Sequence, residues 1–177
     1  MLAAVPERKR GATDLLCNVA AMLKDQGRLA EAEVLFREML AAWRAKRGDR
    51  HVNTLVALNN LAENLREQGK LAEAEPLFRE SLAAEREVNG NNALCTMQDA
   101  GNLGTVLLAQ GKLAEAEPLL VEAVAWYRKK YGYGTIYQAS LVELRREQGR
   151  LDEAEQELGT LVADCLLYTS PSPRDLH

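Results

Sequence analysis

The sequence predicts an all-α protein, an α-solenoid of antiparallel helix pairs, and three observations carry that reading. A segment recurs: Gly27–Leu40 (GRLAEAEVLFREML), Gly69–Leu82 (GKLAEAEPLFRESL) and Gly111–Val124 (GKLAEAEPLLVEAV) are near copies, and a weaker fourth, GRLDEAEQELGTLV, starts at Gly149. The steps between these glycines are 42, 42 and 38 residues, a period typical of stacked supersecondary units. Ala, Leu and Glu abound while aromatic residues are 5% of the chain, a composition of strong helix formers. Finally, apolar residues recur at helical spacing twice within each unit.

Residues 1–11 read as a lead-in, and residues 12–164 as the array, divided at about 12–48, 49–90, 91–132 and 133–164. In the second unit Leu55, Leu58, Leu61, Ala62 and Leu65 form one helical stripe. Gln68-Gly69-Lys70 then breaks it, since Gly accommodates the left-handed conformation that ends a helix. A second stripe follows: Leu71, Ala74, Leu77, Phe78 and Leu82. A Gln precedes the turn glycine in every copy (Gln26, Gln68, Gln110, Gln148). Small residues twelve apart across the turn, Ala20/Ala32, Ala62/Ala74 and Gly104/Ala116, let the two helices approach closely; the fourth unit has the bulkier Val142/Ala154. Pro76 and Pro118 each remove a backbone donor a few residues into the second helix, so a bend is expected there.

Composition excludes several function classes. A net charge of −4 gives no global nucleic-acid footprint. No apolar run reaches membrane-spanning length, and MLAAVPERKR at the start lacks the pattern of a signal peptide. Cys17, Cys95 and Cys165 are scattered, with neither metal spacing nor a disulfide framework, so a reducing cytoplasm is the expected compartment. No catalytic, cofactor or metal constellation is found. His51 lies in a loop, and Gly101, Gly104 and Gly111 lack the strand and the G-K-[ST] of a phosphate loop. The Glu-Ala-Glu triplets (Glu31/Glu33, Glu73/Glu75, Glu115/Glu117) sit near helix starts, where acidic groups suit the macrodipole. Trp43, Trp126 and Tyr127, late in second helices, are expected to pack between helices.

The helix pair with small residues at this spacing and an aromatic four residues after the second Ala (Phe36, Phe78) resembles the tetratricopeptide repeat, whose usual period is about 34. The 42-residue period, with ALNNLA (Ala57–Ala62), QGKLAEAEPLF (Gln68–Phe78) and GDRHVNTL (Gly48–Leu55), is similar to the kinesin light chain variety, although Val52 stands where that type commonly has Pro. The likeness covers roughly residues 12–160. It weakens at Asn89–Thr96, which replaces the expected loop, and at Arg145, which stands where Leu23, Leu65 and Leu107 stand in the other units. The resemblance implies a right-handed superhelix whose first helices line a concave face, and a non-enzymatic scaffold that binds a protein or peptide. Nothing in residues 1–12 supplies heptads for the coiled coil of the motor subunit.

On that face Asn18, Asn60 and Asn102 share one position, and Asn59 precedes Asn60; an Asn side chain can grip the backbone of an extended peptide. The competing reading of the row is hydrogen bonding between neighbouring units. Six residues further on come Lys24, Arg66 and Arg146, with Leu108 interrupting the series. The resemblance implies that this set holds a short acidic peptide. The alternative function is a regulatory or oligomerisation segment of a larger multidomain signalling protein such as an NTPase.

Cys165–Asp175, CLLYTSPSPRD, breaks the Ala/Glu/Leu texture. Those residues coincide with the translation of a common transposase-type sequencing adapter. Residues 165–177 are therefore expected to be non-native and disordered, the chain to be a fragment, and its native sequence to stop near Asp164 within a truncated fourth unit. Solenoid ends need polar caps, so an apolar edge near Leu158–Val162 is expected to be exposed and to drive self-association.

Overall fold

Each Gln-Gly-Lys/Arg turn closes a helix in the same way. Gly69 adopts φ 75°; its N–H donates to the carbonyl of Arg66, and the N–H of Lys70 donates to that of Leu65. This is the two-bond closure that satisfies the last carbonyls of a helix when a left-handed residue follows. The same pair of bonds recurs at Gly27/Arg28, Gly111/Lys112 and Gly149/Arg150. The computed structural model describes residues 8–132 and 136–169, with side chains for 15–132 and 137–163. Eight helices and no strand occur among the described residues. They are α1 (Arg8–Asp25), α2 (Leu29–Arg47), α3 (Val52–Glu67), α4 (Leu71–Asn89), α5 (Leu94–Ala109), α6 (Leu113–Tyr131), α7 (Ile136–Glu147) and α8 (Leu151–Thr169). The chain is an all-α helical-repeat fold, divided between Asp99 and Ala100 into two compact units.

In the first unit the two stripes meet as expected. Leu55, Leu58, Leu61, Ala62 and Leu65 are buried, as are Ala74, Phe78 and Leu82, while Leu71 and Leu77 are half-buried. Ala20, Ala32, Ala62 and Ala74 are fully buried. The recurrent Gln and the Glu-Ala-Glu triplets turn out to be two halves of one clasp. The Nε2 of Gln68 donates to Glu33 Oε2 (2.9 Å), to the Leu29 carbonyl (3.3 Å) and to Asn64 Oδ1 (2.8 Å). Lys70 Nζ lies 2.7 Å from the same Glu33 oxygen, and its hydrogen bond is the main reason the Glu33 carboxyl is held down at about 2. Gln68→Ala is expected to cost about 1–2 kcal/mol, read from thermal unfolding; a melting curve identical to the parent's would contradict the clasp.

The loop at Asn89–Thr96, which departs from the repeat in sequence, keeps the repeat in structure. Thr96 Oγ1 donates to the Gly90 carbonyl at 2.8 Å, as Thr54 Oγ1 donates to that of Gly48 at 2.8 Å. His51 has a structural role: its Nδ1 accepts from the Asn53 N–H at 3.2 Å, and its ring stacks on the buried Trp43.

The second unit repeats the plan with substitutions. A Cβ on Gly104 would lie 2.8 Å from the Leu120 side chain, and one on Gly101 would lie 2.6 Å from the Tyr137 ring, so both glycines are there to admit a neighbour. Trp126, Tyr127 and Tyr131 cluster edge to face or tilted, and Tyr127 also meets Tyr137. The clasp recurs, with Gln148 Nε2 donating to Glu117 Oε2 at 2.8 Å and Arg150 paired to Glu117. Arg145, replacing the buried leucine of the other units, remains largely covered and is neutralised by Glu117 and Glu153. The α-helix runs unbroken through the exposed Pro76 and Pro118.

At the ends the boundaries shift. α1 begins at Arg8, four residues before the expected start of the array. α8 carries helical backbone to Thr169, beyond the end expected at Asp164. Cys165-Leu-Leu-Tyr-Thr contains no helix breaker, and the first such signal is Ser170-Pro171, since the residue before Pro disfavours helical geometry. The rest of the expected disordered tail, 170–177, lies outside the described residues. Leu151, Leu158 and Val162 are exposed at 60%, 47% and 51%.

Candidate peptide-binding face

The first helices of the repeats carry the candidate residues, and the structure sorts them into three states. Asn18 is exposed on α1. Asn60 is half-buried on α3, its Nδ2 4.0 Å from Cys17 Sγ. Asn59 is half-buried too and donates from Nδ2 to Asp99 Oδ1 at 2.7 Å. Its amide is therefore committed within the first unit.

Asp99 is 1% exposed. It also accepts from Ser81 Oγ at 2.5 Å. Burial, opposed by the Ser81 hydrogen bond and aided by the charge of Glu85, pushes its carboxyl up to about 7. Glu85 is buried too, accepting from Asn89 Nδ2 (2.6 Å) and Cys95 Sγ (2.9 Å). Asp99, Ser81, Glu85 and Cys95 line a cavity of about 110 Å³ together with Leu55, Val56, Asn59, Asn60 and Gln98. Sequence reasoning missed Asp99, although a signal existed. At this register the second repeat has Ala57, and where Ser81 stands the neighbouring repeats have Met39 and Ala123, so two polar residues replace apolar ones at positions that meet.

The cations of the face are largely occupied. Lys24 Nζ lies 3.1 Å from both Glu63 Oε2 and Glu67 Oε1. Burial lowers its pKa, but hydrogen bonds and charge from Glu67 and Glu63 outweigh that, and the net shift is upward. Arg66 lies 3.7 Å from Glu63, with its Nε buried and without a partner. Arg146 is exposed and pairs with no acid among the described residues.

In the second unit Asn102 Oδ1 accepts from the Tyr137 hydroxyl at 3.0 Å. One turn further along, Thr105 Oγ1 and Ser140 Oγ are 3.4 Å apart. Beyond them an open cleft of about 600 Å³ lies between the C-terminal half of α5 and α7, lined by Thr105, Leu108, Ala109, Gly111, Leu113, Ser140, Glu143 and Glu147. Among the described residues no group of three or more His, Cys, Asp or Glu could hold a metal ion, and no helix is long and apolar enough to cross a membrane.

Paired helices, left-handed glycine turns and clasps between successive pairs define a helical-repeat protein. The tetratricopeptide repeat profile matches residues 12–87 and 55–129, and the chain belongs to that family. Among solved structures it is similar to BtubC (BKLC) from P. vanneervenii, with 16% identity over 91% of this chain and 66% of that chain and a TM-score of 0.81. It is also similar to the kinesin light chain nearly identical TPR-like repeats of Podosopora anserina, with 23% identity, 98% and 83% of the two chains covered, and a TM-score of 0.77. A point variant of those repeats gives 22%, 98%, 82% and 0.78. At these identities the likeness is one of fold. No curated protein sequence matches significantly.

Proposed function

We propose that the chain is a non-enzymatic scaffold that binds a short extended peptide along its first helices. Tetratricopeptide repeats generally mediate protein–protein interaction, and the observation that carries the reading is the α5/α7 cleft. Its apolar walls (Leu108, Ala109, Leu113) and few convergent polar groups (Thr105, Ser140, Glu143, Glu147) are the mixture that recognition clefts present. In the first unit Asn18, Asn60 and Arg66 are candidate contacts of their own, and in the second Arg146; Asn59 and Asn102 are held by Asp99 and Tyr137. An acidic peptide, as the kinesin light chain resemblance implies, would have to displace Glu63 and Glu67 from Lys24. Two free thiols, Cys17 and Cys95, support work in a reducing cytoplasm.

The test is a random-peptide display screen on the full chain, followed by Thr105→Ala/Ser140→Ala in the cleft. Selected peptides that bind the parent at least about tenfold more tightly than the double variant, with helicity retained, support the reading. A screen without any binder contradicts it. The exposed Leu151, Leu158 and Val162 are expected to drive self-association. Light scattering should report a mass rising with concentration that Leu158→Glu/Val162→Glu abolishes, and a monomer at all concentrations would contradict this.

A further inference from the structure

Two junctions between first helices, one in each unit, carry the same pair of carboxylates, but only one of them has a cation. In the first unit α3 presents Glu63 and Glu67, and Lys24 from α1 sits between them, 3.1 Å from each. The repeat register, two steps of 42 for Lys24 and one of 42 plus one of 38 for the acids, maps Lys24 to Leu108, Glu63 to Glu143 and Glu67 to Glu147. In the second unit the lysine is thus replaced by a leucine while both acids are kept. No cation among the described residues pairs with Glu143 or Glu147, and where the ammonium would lie the structure has the open cleft of about 600 Å³.

We infer that this cleft takes a lysine or arginine side chain of an extended basic peptide, the ligand supplying the cation that the first junction supplies from its own chain. The inference rests on the peptide-scaffold reading and names the partner's charge. The cleft suits such a side chain along its whole length. Leu108, Ala109 and Leu113 offer apolar surface to the methylene stem, which long basic side chains bury while their charged heads stay polar. Glu143 and Glu147, one helical turn apart, offer charge-assisted hydrogen bonds at the far end. Thr105 and Ser140 on the floor supply hydroxyls for the peptide backbone. Arg146 is not among the lining residues.

The experiment is a display screen of random dodecapeptides against the full chain, with each selected peptide then measured against Leu108→Lys and against Glu143→Gln/Glu147→Gln. Leu108→Lys rebuilds the internal pair of the first junction and fills the cleft. The glutamines remove the charge while keeping the shape. The expected result is enrichment of peptides with a Lys or Arg whose replacement by Gln weakens binding about tenfold or more, and a comparable loss in both variants, with far-UV circular dichroism unchanged. Enrichment of acidic or uncharged peptides, or of basic ones that bind both variants as tightly as the parent, would overturn the basic-side-chain assignment and leave the scaffold reading standing. A screen that returns no binder would overturn both. If Leu108→Lys fails to fold, the double glutamine variant decides alone.

Discussion

Asp99→Asn is expected to stabilise the chain by about 2–4 kcal/mol at pH 8 and to change it little at pH 4. The carboxyl is almost wholly buried, receives hydrogen bonds from Asn59 and Ser81, and feels the charge of the buried Glu85, with no cation among the described residues paired to it. Its folded pKa of about 7 stands above the ordinary aspartate value of 3.8. Between those two values the folded chain holds a proton that the unfolded chain has released. Stability therefore falls as pH rises through that window and reaches its lower plateau above pH 7. Asn removes the charge and keeps the shape, and the Ser81 hydroxyl can rotate to accept from the new amide. The depressed carboxyls of Glu33 and Glu117 act with the opposite sign, their contribution being lost only as pH falls below the ordinary carboxylate range. Thermal unfolding at intervals from pH 4 to 8 checks the prediction. A parent whose stability rises across pH 5–7, or an Asn variant with the same slope, would contradict it.

Phe78→Ala is expected to cost about 4 kcal/mol. Phe78 is the aromatic of the second repeat, fully buried, at the position that Phe36 holds in the first and Leu120 in the third, each fully or almost fully buried. Truncation would leave a cavity within a helix pair in which Ala62 and Ala74 are also fully buried. Phe78→Leu, which borrows the third repeat's own solution, should cost about 1 kcal/mol. Urea unfolding measures both. A loss for Phe78→Ala no larger than for Val88→Ala, at a residue 48% exposed, would contradict the packing described.

The fold was readable because it is written several times. Gly27, Gly69, Gly111 and Gly149 mark one turn in four copies, and stripes such as Leu55–Leu65 mark the faces that pack. The binding face was less legible because a row in sequence is not a row in chemistry. Asn102 occupies the regular position and Asn59 stands beside it, yet each is held by a residue that breaks the repeat, Asp99 and Tyr137. The sequence sets Glu63 and Glu67 among the basic positions, but that both lie against Lys24 is seen only once the helices pair. The cleft depends on one substitution, Leu108, which looks like a gap in a basic series and leaves Glu143 and Glu147 without a cation.

The central claim, that the first helices hold an extended peptide, is tested most directly by amide hydrogen exchange of the full chain with and without a display-selected peptide. Slowed exchange in α5 and α7, centred on Thr105–Ala109 and Ser140–Glu147, is the result predicted. Protection confined to the second helices α4, α6 and α8, with α5 and α7 unchanged, would contradict it.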